Sequence, residues 1–112
     1  MIRSIIIDDE QPARESLKNY LAEFCQEVEV IAMADSVKTG LDVIRKHSPS
    51  LVFLDVEMPN GTGFDLLTHF PEKGFDVIFI TAFNHYAIKA IKFSAVDYIL
   101  KPINIHEFIE AV

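Results

Sequence analysis

Five short apolar runs rich in Ile, Val and Phe recur along the chain, at Ile2 to Ile7, Val28 to Ala34, Leu51 to Leu54, Val77 to Ile80 and Tyr98 to Leu100. Ile5-Ile6-Ile7 and Leu51-Val52-Phe53-Leu54 are apolar at successive positions, so both faces of those strands should be buried, as in the interior of a parallel sheet. The stretches between the runs carry apolar residues at helical spacing instead. Ala13, Leu17, Tyr20, Leu21 and Phe24 form one stripe, with Pro12 suited to the first turn because its missing N–H costs nothing there. Val37, Gly40, Leu41 and Ile44 form a second after Ser36, a natural N-cap, and it ends before His47-Ser48-Pro49. A third, shorter helix holds Phe64, Leu67 and Phe70 and stops at Pro71. A fourth, from about His85 to Phe93, carries Ala87, Ile88, Ala90 and Ile91 with Lys89 and Lys92 outward. Asn104-Ile105-His106-Glu107 has the form of a capping box and leads Ile105, Phe108, Ile109 and Val112 onto one face.

Strands alternating with helices through right-handed crossovers predict an α/β fold: a doubly wound five-stranded parallel sheet of flavodoxin-like order 2-1-3-4-5, with helices on both faces. At 112 residues the chain is expected to be one domain, 1–112. Its last helical pattern is still running when the sequence stops, which reads as a domain cut from a longer protein.

Seventeen acidic against ten basic side chains leave a net charge of -7, which repels phosphate backbones and anionic lipid, so direct nucleic-acid binding is not expected. The first apolar run is far too short for a signal peptide or membrane span, so no membrane association is expected. The lone Cys25 excludes an internal disulfide and a thiol zinc cluster and suits the reducing cytoplasm.

Asp8 and Asp9 directly follow the first strand and Asp55 directly follows the third. In the expected sheet order these strands are neighbours at the switch point, so the three carboxylates should converge. Converging carboxylates repel one another unless a cation lies between them. Oxygen ligands without His or Cys favour Mg2+ or Mn2+ over Zn2+. A single acid after a strand would read simply as a charge complementing a helix N-terminus. Two strand ends carrying three acids argue for more.

Thr81 follows the fourth run and Lys101 closely follows the fifth, on the same edge. A nucleophilic carboxylate, a divalent cation, a hydroxyl and a fixed ammonium are the parts needed to accept a phosphoryl group. Pro102 restricts the residue before it and so helps fix where Lys101 points. His47, His69, His85 and His106 lack ligand spacing and read as surface or helix-end residues. Gly61-Thr62-Gly63 lacks the ending of a P-loop and reads as a tight turn entering the third helix. Cys25 and Met58 read as packing residues.

Taken together, Ile7-Asp8-Asp9-Glu10, Leu54-Asp55-Val56-Glu57-Met58-Pro59, Gly61 and Gly63, Thr81-Ala82 and Asp97-Tyr98-Ile99-Leu100-Lys101-Pro102 resemble the receiver domain of bacterial two-component response regulators. The stretch Thr81-Ala82-Phe83-Asn84-His85-Tyr86-Ala87-Ile88-Lys89-Ala90 is similar to the LytTR (LytR/AlgR-like) subgroup. The resemblance implies that Asp55 is the phospho-acceptor and Asp9 a direct Mg2+ ligand assisted by Asp8, with Asp55 itself and the backbone carbonyl of Glu57 also in the metal set. It implies that Thr81 and Lys101 contact the phosphoryl oxygens. Tyr98 would be the aromatic switch that follows Thr81 from exposed to buried, and Glu57 and Phe83 would tune the phosphoryl lifetime. It further implies a sensor histidine kinase as partner, a LytTR DNA-binding output domain acting in transcription, and homodimerisation on phosphorylation. The domain would be a signalling module that catalyses only its own phosphoryl transfer and slow dephosphorylation. Two alternatives stand beside this reading: a Mg2+-dependent phosphohydrolase with an aspartyl phosphate, and an interaction domain that needs no phosphorylation. Against the first stand the adjacent acids where a DxD nucleophile motif is needed and a chain too short for a substrate cap. Against the second stands the intact set Asp8, Asp9, Asp55, Thr81 and Lys101.

Overall fold

Ile5, Ile6 and Ile7 are all buried. Consecutive strand residues face opposite sides, so the strand that holds them is covered twice. In the computed structural model, which describes residues 1–72 and 74–112 with the side chains at positions 105 and 107 outside the description, that strand lies inside a five-stranded sheet. The elements are β1 (Ile2–Ile7), α1 (Gln11–Phe24), β2 (Val28–Ala34), α2 (Val37–His47), β3 (Leu51–Leu54), β4 (Glu57–Met58), β5 (Gly61–Thr62), α3 (Gly63–Leu67), β6 (Asp76–Thr81), α4 (Ala87–Lys92), β7 (Asp97–Leu100) and α5 (Ile105–Ala111). The main sheet runs β2-β1-β3-β6-β7 with every neighbour parallel. This is the expected order 2-1-3-4-5, since β6 and β7 are the fourth and fifth apolar runs.

The alternation of side chains divides the core. Ile5, Ile7, Val52, Leu54, Val77 and Phe79 pack on one face with Ile44 of α2 and Phe64, Leu66 and Leu67 of α3. Ile6, Phe53, Ile78, Ile80 and Ile99 pack on the other with Leu17 and Leu21 of α1 and Phe108 of α5. Cys25 and Met58 are buried packing residues, as expected. Ser4, the buried polar residue of β1, donates its hydroxyl to the Glu29 carbonyl at 2.9 Å.

Local chemistry starts the helices. Pro12 lies in the first turn of α1. Ser36 caps α2, its Oγ accepting from the Thr39 N–H at 3.1 Å while the Thr39 hydroxyl accepts from the Ser36 N–H at 3.1 Å. Thr62 and Asp65 make the same reciprocal pair at α3. The capping box expected over Asn104 to Glu107, and the place of Ile105 on its face, fall outside the described side chains.

Three expectations need correction. Gly61-Thr62-Gly63 is no simple turn: Gly61 and Thr62 pair antiparallel with Met58 and Glu57. The turn of this hairpin is Pro59-Asn60, with Asn60 in the left-handed region at φ 64°, which Asn tolerates. Regular α3 ends at Leu67 rather than Phe70, because the chain tightens into i to i+3 bonds, His69 N–H to Leu66 and Phe70 N–H to Leu67. In α4, Ile88 and Ile91 are 74% and 75% exposed, and Ala90 is the buried residue. The two isoleucines sit one residue, about 100°, round the helix from Ala87 and Ala90, and the alanine side is the one laid on the core.

Candidate functional site

Every parallel strand of the sheet ends on the same edge, and β1, β3, β6 and β7 deliver their chemistry there. Asp8 follows β1, Asp55 follows β3, Thr81 closes β6 and Lys101 follows β7. The Lys101 ammonium lies 2.8 Å from Asp8 Oδ2 and 3.3 Å from Asp55 Oδ2, a single cation between two buried carboxylates. The Lys101–Pro102 peptide bond is cis. Asp55 Oδ1 accepts from the Val56 N–H at 2.7 Å, and Asp8 Oδ1 accepts from the Glu10 N–H at 3.0 Å. Thr81 is fully buried, with its Oγ1 accepting weakly from the Phe83 N–H at 3.4 Å.

Burial raises the Asp55 carboxyl above its ordinary value; the Lys101 charge opposes this, the Asp8 charge adds to it, and a hydrogen bond from Thr81 lowers it. Desolvation pulls the Lys101 ammonium downward, but the Asp8 hydrogen bond and the Asp55 and Asp8 charges outweigh it and leave the group above the usual lysine value. The site therefore holds its lysine charged, with the Asp55 carboxyl raised by burial against it.

Asp8, Asp9 and Glu10 bring carboxylate oxygens within 4.8 Å of one another, buried, half-buried and exposed in turn. An all-oxygen donor set graded from interior to solvent fits a hard divalent cation that retains water. Asp55 is not one of these three, and its carboxylate meets that of Asp8 across the Lys101 ammonium. Glu10 is the acid that the strand-end pattern does not mark, since it follows Asp9 at the exposed start of α1. Arg14, which no sequence motif marks, donates from its guanidinium to the Asp8 carbonyl at 2.8 Å. A cavity of about 240 Å³ between α1 and the segment after Lys101, walled by Leu17, Tyr20, Phe53 and Ile103, reaches Asp8, Asp55 and Lys101.

On the other flank, the Tyr98 ring of β7 is half-buried, 6.1 Å from Phe79, and its hydroxyl donates to the Phe83 carbonyl. Tyr86, which the sequence marked only as part of a subgroup-like stretch, donates to Glu57 Oε2 at 3.1 Å. The histidines stay apart from the acidic group, and His85 stacks on Tyr86 with ring centroids 4.1 Å apart.

Residues 5–112 match the family described as the response regulator receiver domain, and the chain belongs to that family. It is thus the receiver domain of a two-component response regulator, a signalling domain. It is 45% identical over 105 residues to an uncharacterized response regulatory protein of Vibrio parahaemolyticus, covering 93% of this chain and 43% of that one. It is 35% identical over 114 residues to the sensory transduction protein LytT of Bacillus anthracis, covering 100% of this chain and 46% of that one. The chain spans less than half the length of these curated relatives. Among solved structures, a DNA-binding response regulator of the LuxR family from Staphylococcus aureus superposes with a TM-score of 0.88 at 27% identity, covering 99% of this chain and 95% of that one. The response regulatory domain of protein mrkE from Klebsiella pneumoniae superposes with a TM-score of 0.87 at 28% identity, covering 98% and 91%. Among the described residues no helix is long and apolar enough to cross a membrane.

Proposed function

We propose that Asp55 accepts a phosphoryl group from the phosphohistidine of a sensor kinase and that the resulting aspartyl phosphate switches an interaction surface. The observation that carries this reading is the single Lys101 ammonium held between Asp55 and Asp8, beside the buried Thr81 hydroxyl. In the transfer, an Asp55 oxygen forms the new bond to phosphorus as the bond to the imidazole nitrogen breaks, and the ring, protonated beforehand on its nitrogen not bonded to phosphorus and so cationic at the start, leaves as neutral imidazole. Lys101 and Thr81 then face the phosphoryl oxygens and spread their charge. Asp8 and Asp9, with the Glu57 backbone carbonyl, Asp55 and the neighbouring Glu10, form the candidate set for Mg2+ or Mn2+; a bound ion would supply positive charge against the incoming phosphoryl. Water attack on the same phosphorus would return the carboxylate slowly, so the domain resets itself while serving signalling.

Thr81 drawn toward the phosphoryl leaves room behind it for Tyr98, and the face made by α4, β7 and α5 changes with it. The likeness to LytT supports a LytTR DNA-binding output domain in the whole protein, of which residues 1–112 form the receiver part, with transcription as the controlled process and the cytoplasm as its place. The net charge of -7 argues that DNA contacts belong to that output domain. Homodimerisation on phosphorylation completes the proposal.

The test is intact mass after incubation with Mg2+ and a small phosphodonor, beside an Asp55→Asn variant. The expected result is gain of one phosphoryl group by the wild type alone, and only with metal. No gain where a control receiver is labelled would overturn the acceptor reading.

A further inference from the structure

The loop from Ala82 to Tyr86 joins Thr81 to the start of α4, and tyrosine hydroxyls hold it from two directions. Tyr98, on β7, reaches in and donates to the Phe83 carbonyl. Tyr86, on the loop itself, reaches out and donates to the Glu57 carboxylate at 3.1 Å. Glu57 makes a stiff anchor: it is two residues beyond Asp55, its neighbour Val56 is fully buried, and its strand is paired with Thr62 in the β4–β5 hairpin. The Tyr86 ring also packs 5.8 Å from Phe64, which in turn stacks on Phe79 and Phe93. The loop is therefore tied on one side to the strand leaving Asp55 and on the other to Tyr98.

We propose that Tyr86 is a positioning residue for phosphoryl transfer, its hydrogen bond to Glu57 clasping the β6–α4 loop in the conformation that turns Tyr98 inward and sets Thr81 toward Asp55. Contacts made by one loop conformation stabilise each other, because any departure breaks both; the Tyr86–Glu57 and Tyr98–Phe83 bonds are coupled in this sense. The chemistry suits the task, since a neutral phenol donating to a carboxylate gives a charge-assisted bond without placing a second cation beside the acceptor. The clasp also holds the Glu57 charge on the α4 side of the hairpin. Loss of the clasp lowers the ratio of inward to outward Tyr98, and slows phosphoryl uptake from a small donor, roughly three- to tenfold.

The inference rests on the phospho-acceptor reading for its consequence, but its decisive measurement does not require phosphorylation. Tyrosine ring signals are recorded by NMR on the 13C-tyrosine-labelled 112-residue chain, as wild type, Tyr86→Phe, Glu57→Ala and the double variant. Tyr86→Phe keeps the ring that packs on Phe64, and Tyr20 on the opposite side of the sheet reports that the fold is intact. Each single variant is expected to move the Tyr98 signal in the same direction, with no further movement in the double variant and a parallel three- to tenfold slowing of uptake. Unmoved Tyr98 signals in both single variants, or shifts that add, would overturn the clasp. If the wild type takes up no phosphoryl group, the acceptor reading falls while the Tyr98 signals still decide the clasp.

Discussion

One ammonium serving two buried carboxylates makes Lys101 the residue on which the site's electrostatics turn. Replacing it by Met leaves Asp8 and Asp55 facing each other without a cation. We expect a loss of roughly 1–3 kcal/mol at neutral pH, below the range for a fully buried pair because 24% of the Lys101 side chain is in water. The loss should fade in acid, where the raised Asp55 carboxyl is neutral, which urea denaturation at several pH values would show. In the wild type the raised folded value of Lys101 means that its contribution is complete below the usual lysine range and is lost as pH climbs through the folded value. Asp55 is raised as well, so its neutral form is the one the fold prefers: stability is complete below the ordinary carboxylate value and falls as pH rises through the raised one. Asp55→Asn should therefore melt higher than the wild type at pH 7, the gap closing below about pH 4; an equal gap at both pH values would contradict the desolvation account. The sequence exposed Asp8, Asp55, Thr81 and Lys101 as candidates because each ends or closely follows an apolar run. It could not expose the Lys101 bridge or the Tyr86–Glu57 bond, because those depend on side-chain directions across segments far apart in the chain.

Among the elements, α2 and α3 were legible in different ways. Ser36 announced α2 because an N-cap is local chemistry, and the structure completes it with Thr39. The end of α3 was misplaced because Phe70 fits a helical spacing whether the backbone stays α-helical or tightens. The short hairpin before α3 hid for a related reason: strands of two residues leave no periodicity to read. Gly63 shows what this element does for the site. A Cβ at Gly63 would lie 2.5 Å from the Asp55 carbonyl oxygen and 2.9 Å from Leu54 Cγ. Backbone cannot retreat as a flexible side chain can, so Gly63→Ala should cost on the order of 1–3 kcal/mol. It should also displace the strand end that carries Asp55, so thermal melting and, on the proposed function, phosphoryl uptake are expected to fall together. In α4 Ala90 is buried and Lys89 and Lys92 are exposed as the pattern indicates, but Ile88 and Ile91 are not inward, because a six-residue helix offers too few positions for a stripe to fix its rotation. The outcome leaves Ile88 and Ile91 on the surface beside Lys89, whose ammonium sits 4.9 Å over the Phe64 ring.

At the scale of the molecule, the parallel direction of the strands followed from alternating strands and helices and from interior runs apolar at successive positions, which a sheet covered on both faces accommodates. The two packed layers that result share strands but not side chains. Ile5 belongs with Val52 and Val77 on one face, while Ile6, its neighbour in sequence, belongs with Phe53 and Phe108 on the other. Energetic independence does not then track distance along the chain. Ile5→Val and Ile6→Val fall in different core clusters and should add to within about 0.3–0.5 kcal/mol, whereas Ile5→Val and Val52→Ala, register partners on adjacent strands, should depart from additivity by more. Double-mutant cycles by chemical denaturation would measure both. If the two layers behave in this way, one face of the domain is free to diverge, residue by residue, while the other keeps its packing, and two receivers could acquire different surfaces without renegotiating a common interior.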